Sequence, residues 1–354
     1  MAQPNILDFR GVNLTVLHDY HDRAAVFDFL QARADAPANF GIDPDLGPQL
    51  QLILTQLRSL SLPEGNQYNN FSIRPDQHIH RALNPLWTIH TPTQSKFIAA
   101  RTYIHKFDYG WPFVVYWTPY DLLGLFLSKL GPAPYGQNAD KTNFYLPLTA
   151  VYGRWCMLLA GNRTNNFEPR DPHEGGVGDP SYFYNCTWNP DDGVFFLGAV
   201  LAGYDWTNYD NQNDVGIWET DLKRERRNLL RNFYGITVTY SFEMSPTLLA
   251  GGGEFGTHFG NCAETYPFIN MLSDHRDPPW RERCHGLALK RDFAKLKDNY
   301  RQALILRASR ANPQYYEFVS QPCRNCRRLI EYSGARWRNY WSNDEVPDPY
   351  PRNN

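Results

Sequence analysis

The sequence predicts an α/β protein. Three observations carry that expectation. Apolar residues recur at helical spacing in the N-terminal third, β-formers alternate over Ile236–Phe242, and short helices and strands follow one another beyond residue 210. With 354 residues the chain has the length of one large domain or two ordinary ones, and its 42% hydrophobic content suffices for a sizeable core.

Taken in order, residues 1–22 read as an irregular or extended leader. Ala24–Asp35 and Leu46–Leu60 place apolar side chains on one helical face and read as two helices. Residues 63–92 are polar and rich in turn formers, hence a long loop, and Phe113–Trp117 is β-rich, hence a strand. Asp121–Leu130 reads as a helix stopped by Gly131-Pro132. Leu146–Ala160 is apolar enough for a buried helix, with Pro147 in its first turn. Asn162–Asp192 is rich in Pro, Gly and Asp and reads as loop; Gly193–Tyr204 is a strand or short helix. Val215–Phe233 reads as a helix with a charged middle, Lys223 to Arg227, and a boundary is expected near residue 210.

Beyond that boundary, Ile236–Phe242 and Thr247–Ala250 read as two strands, the second running into Gly251-Gly252-Gly253. Cys262–Leu272 reads as a buried helix with Pro267 near its start. Asp274–Glu282 reads as loop, His285–Leu289 as a strand, Asp292–Arg310 as a basic amphipathic helix, and Pro322–Tyr332 as a last helix opened by proline. The expected division is 1–210 as an accessory region, 211–338 as the chemistry-bearing unit and 339–354 as a tail.

Charge is unevenly spread. The net charge is −2, yet Arg276 to Arg338 holds 15 Lys/Arg against 6 Asp/Glu. Such a segment suits a nucleic-acid or acidic-ligand surface, or equally a set of solvated helix faces. No 18-residue apolar run is present and the first residues lack a signal-like pattern, so no membrane partner and an intracellular location, cytoplasmic or nuclear, are expected. Six cysteines in a chain of this length are not a disulfide framework; clustered, they suit metal ligation or catalysis.

Two motifs concentrate the chemistry: Cys262-Ala263-Glu264 and Pro322-Cys323-Arg324-Asn325-Cys326, each at a predicted helix start. A spacing of three puts the sulfurs of Cys323 and Cys326 on one side of a helical turn, and Cys262 supplies a third thiolate. A catalytic Zn2+ keeps three protein ligands and an open fourth position. Glu264, two residues beyond Cys262, can face that position without ligating and move a proton, the division of labour of zinc nucleobase deaminases. Asn261 and His258, just before Cys262, are candidate contacts to a base or sugar. Arg324 and Arg327 flank the thiolates.

The pairing of Cys-Ala-Glu with Pro-Cys-x-x-Cys resembles the cytidine deaminase superfamily. The likeness covers roughly 215–335. It implies an α/β/α fold with a mixed sheet, the two cysteine helices beneath it, Ile236–Ala250 as the leading hairpin and His285–Leu289 as the third strand. The long gap between Glu264 and Pro322 departs from the family pattern and is assigned to an insertion at Asp292–Pro313. Few residues follow Tyr332, so the last strands are short, missing or drawn from the N-terminal region. The resemblance implies Zn2+ as cofactor and hydrolytic deamination of a cytosine-type base, with nucleic acid slightly favoured over a free nucleoside as partner. Two readings stand beside it: another base such as adenine or guanine, and a non-catalytic protein whose zinc is closed by a fourth ligand, Cys284. His18/His21 and His78/His80 have ligand-like spacing but belong to no recognised motif.

Overall fold

The computed structural model describes residues 6–10, 13–15, 23–60, 118–134, 138–160, 180–200, 226–232, 234, 260–272, 277–295, 318–320 and 322–340. The expected elements Phe113–Trp117, Ile236–Phe242 and Thr247–Ala250, and the span of Asp292–Arg310 beyond residue 295, lie outside them. The N-terminal leader contains a short antiparallel pair, β1 (Ile6–Asp8) with β2 (Asn13–Thr15). It is anchored by buried Leu7 and Phe9, and by Arg10, which donates to the carbonyls of Gly41 and Pro132.

Helices α1 (Arg23–Asp35) and α2 (Gly47–Leu60) occur as their apolar spacing predicts and pack on one another. Helix α3 (Pro119–Lys129) starts two residues before its expected position because Thr118 caps it. The Thr118 hydroxyl accepts from the Asp121 amide, and the Asp121 carboxylate accepts from the Thr118 amide and hydroxyl. Helix α4 (Leu146–Leu159) carries Pro147 in its first turn, where the missing N–H costs nothing.

The main sheet has four strands in the order β4-β3-β5-β6: β3 (Phe183–Trp188), β4 (Phe195–Ala199), β5 (His285–Lys290) and β6 (Val319–Ser320). All three described pairings are antiparallel, which corrects the expectation of a mixed sheet. The cause is local at one edge. Residues 189–194 turn tightly, with Val194 accepting from the Asn189 amide and Gly193 at φ 70°, so β4 folds straight back along β3. Strand β5 then enters on the other side of β3, from Trp188↔His285 to Phe183↔Lys290. The sheet thus draws strands from both sides of residue 210.

Helices cover both faces of this sheet. Alternation along β3 sends Tyr184, Cys186 and Trp188 to one face, where they meet Tyr152, Thr149 and Tyr145 of α4 and its approach. Asn185 and Thr187 face the other way. Their cross-strand neighbours Gly198 and Gly286 lie against Pro267 and Tyr340 respectively. That second face is covered by helix α5 (Thr265–Met271), whose Phe268 ring meets Tyr340 edge-on. One continuous apolar cluster runs from Leu7 and Phe9 through the sheet to Tyr340. Each fully buried Leu or Phe in it contributes about 1.5–3 kcal/mol.

Two further expectations are corrected. Asn162–Asp192 is not all loop, since β3 lies within it, and Pro278–Glu282 is a short helix, α6, rather than loop. The last helix, α7, spans Arg324–Tyr332. No helix among the described residues is long and apolar enough to cross a membrane.

Candidate metal centre

Cys262 does not stand inside a helix as its motif suggests; it lies in the turn that precedes α5. The turn is closed on the Cys262 carbonyl, which accepts from the Thr265 amide at 3.1 Å and the Thr265 hydroxyl at 2.7 Å. Two glycine-dependent contacts seat it. At Gly260, φ 90°, a β-carbon would lie 2.7 Å from Cβ of Arg226 and from the Arg227 amide nitrogen, so the turn rests directly on the helical segment 226–232. At Gly198 of β4 a β-carbon would lie 2.6 Å from Cδ of Pro267 and would strike the Ala263 carbonyl.

Cys323 caps helix α7. Its backbone is extended, and its sulfur accepts from the Cys326 amide at 3.5 Å. Cys326 follows one turn later, 1% exposed. The three sulfurs of Cys262, Cys323 and Cys326 lie within 4.8 Å of one another, with Cys262 and Cys323 at 3.5 Å. Tetrahedral coordination at about 2.3 Å from each sulfur places sulfurs about 3.8 Å apart, so the cluster fits one metal ion with small side-chain adjustments. The chain's two motifs, 61 residues apart at Cys262 and Cys323, therefore meet.

The three thiols shift one another in opposite directions. Hydrogen bonds from Cys262, Cys326 and the amides of Cys326 and Asn325 hold Cys323 well below the usual thiol range. Cys262, bonded to Cys323, is pushed up, and so is Cys326, chiefly by burial. Glu264 is 7% exposed and immediately precedes α5. Burial, then the charge on Cys323, pushes its carboxyl up to about 7, while a hydrogen bond from Cys326 opposes the rise. The acid therefore sits against the thiol cluster.

Asn261 is half-buried, and its side-chain oxygen is a buried acceptor without a donor among the described residues. Such orphaned acceptors are uncommon. His258 lies outside the described residues, as does the side chain of Arg324. Arg327 lies over the Trp337 ring at 4.4 Å and reaches Glu331 at 3.5 Å.

The four-cysteine set is corrected by the geometry. Cys284, fully buried, points its thiol at the Trp280 carbonyl (3.6 Å), its sulfur accepts from the Asn189 side-chain amide (3.9 Å), and it is not part of the cluster. The charged run Lys223 to Arg227 hid a supporting residue, Arg226. Its guanidinium is fully buried, 4.7 Å over the Tyr266 ring of α5, and it pairs with Asp121. The only hint in the sequence was the helical phase of residues 226–232.

No protein-family model matches the chain, and no match was found among curated proteins or among solved structures.

Proposed function

We propose that the chain is a zinc-dependent hydrolytic deaminase acting on a cytosine-type base. The observation that carries this reading is the meeting of Cys262, Cys323 and Cys326 with the buried carboxyl of Glu264 against them. Three thiolates suit a soft or borderline ion and discriminate against Mg2+ and Ca2+. Cys262, Cys323 and Cys326 would hold a Zn2+ ion, which would supply Lewis acidity toward water when bound.

The residues of the chain then divide the work. Glu264 would take one proton from the attacking water and deliver it to the ring nitrogen, then take the second from the resulting hydroxyl and deliver it to the departing amine. The base gains oxygen in place of its exocyclic nitrogen, and ammonia leaves. Asn261, whose side-chain oxygen has no donor among the described residues, accepts an N–H from the base or a hydroxyl from the sugar. The excess of Lys/Arg between Arg276 and Arg338 supports nucleic acid as the form in which the base is presented.

The test is a panel of cytidine, deoxycytidine, single-stranded DNA, duplex DNA and RNA offered to zinc-loaded protein, with ammonia and uracil as readouts. Glu264→Gln is expected to retain one zinc per chain and release no ammonia. Zinc-loaded protein inert on the whole panel, or an active Glu264→Gln variant, overturns the reading.

A further inference from the structure

The thiol cluster has a second chemistry open to it. Cys262 and Cys323 bring their sulfurs to 3.5 Å, against about 2.05 Å in a disulfide. Both residues sit in the segments that lead into α5 and α7, Cys262 in the turn before α5 and Cys323 at the cap of α7. We infer that, when no metal occupies the cluster, Cys262 and Cys323 form a disulfide on reaction with a low-molecular-weight disulfide. The metal-holding and oxidised states of the site are then mutually exclusive.

The pairing is selective for a geometric reason. Of the three thiols only Cys323 is half-buried, while Cys262 is 8% and Cys326 1% exposed. Cys323 is therefore the residue of the three that lies nearest to solvent and, in the proposed sequence, the first to meet a small oxidant. As its thiolate it attacks one sulfur of oxidised glutathione, forming a mixed disulfide and releasing one glutathione thiolate. The Cys262 thiolate then attacks the Cys323 sulfur, releasing the second glutathione. The two cysteine protons end on the two glutathione thiols, so one disulfide is formed and one is reduced. Cys326, left with a single thiol, cannot hold the ion alone. Cys284 stays out of the exchange, fully buried against Trp280 and Asn189.

The inference goes beyond the proposed reaction and rests only on the thiol geometry. The experiment accordingly does not read deamination. Full-length protein is stripped of metal with a chelator under reducing conditions, freed of reductant and exposed to oxidised glutathione. Thiols are counted by a chromogenic reagent, and non-reduced proteolytic peptides are mapped by mass spectrometry. The expected result is loss of two of the six thiols, with Cys262 joined to Cys323. Cys326→Ser is expected to give the same cross-link, and Cys262→Ser to stop at glutathione on Cys323. Zinc-loaded protein is expected to keep all six thiols over the same time. A Cys323–Cys326 link, no link in the metal-free wild type, or equal oxidation of zinc-loaded and metal-free protein overturns the inference.

Discussion

Nη1 of Arg226 lies 3.6 Å from Oδ2 of Asp121, and each side chain is only 1% exposed. The pair joins α3, which carries Asp121, to the segment on which the Cys262 turn rests. Burial pushes the Asp121 carboxyl up, while Arg226 and the Thr118 hydrogen bonds pull it down. Asp121→Ala leaves a buried guanidinium uncompensated, and the expected cost is about 3–5 kcal/mol. The double variant Asp121→Leu/Arg226→Met is expected to be more stable than Asp121→Ala. Urea unfolding midpoints decide the matter: a double variant no better than the single would mean that the charges are not coupled.

Gly198→Ala tests how the sheet seats the turn that carries Cys262. Its new methyl meets Pro267 and the Ala263 carbonyl, so the turn holding Cys262 and Glu264 must shift. Overpacking of this kind costs about 1–3 kcal/mol. Zinc affinity, measured by competition with a chromogenic chelator, is expected to fall about tenfold, equivalent to ~1.4 kcal/mol. Gly334→Asn is the comparison: nothing lies within 4 Å of its β-carbon position, so zinc affinity should hold. Unchanged affinity in Gly198→Ala would show that the turn is not braced by β4.

Zinc loading should stabilise the fold. An ion bound only by the folded state, at a hundredfold excess over its Kd, adds about 2.7 kcal/mol. Thermal melts with zinc and with chelator are expected to separate in the wild type and in Cys284→Ala, and to coincide in Cys323→Ala. Loss of the separation in Cys284→Ala would return that thiol to the ligand set.

His285 sets a pH dependence of stability. It stacks on Trp188 at 5.7 Å between ring centres, and burial and then Lys141 lower it from its usual 6.5. The unfolded chain therefore binds this proton at a higher pH than the folded chain does. The contribution is fully present above 6.5 and is lost as pH falls through the lower folded value. The wild type should lose more stability than His285→Gln between about pH 7.5 and 5.5. Parallel pH profiles would contradict the assignment.

The cysteine convergence was legible because both motifs stand where the chain turns into a helix, and such positions set the direction of the sulfurs. The end of β5 was legible only to within one residue. Strand β3 was not legible: Phe183 to Trp188 is buried on both faces for five of its six residues, so no polar alternation marks it. Its surroundings, rich in Pro, Gly and Asp, read as loop. Arg226 was hidden for the opposite reason. A run of charges reads as a solvated face, and only tertiary packing shows that one of them lies inside. Cys284 had the look of a fourth ligand, but its thiol is engaged by the Trp280 carbonyl of α6 and by the Asn189 side-chain amide instead.

Strand β5 is held by β3 through bonds such as that from the Asn185 side chain to the Leu287 carbonyl, a separation of 102 residues. During synthesis the β3–β4 ribbon emerges with one margin open, and that margin stays unsealed until β5 has been made. The wall on β4 against which the Cys262 turn packs is made before Cys323 and Cys326 are. A fragment beginning after residue 210 would lack that wall and expose a bare flank of β5, which invites self-association rather than independent folding.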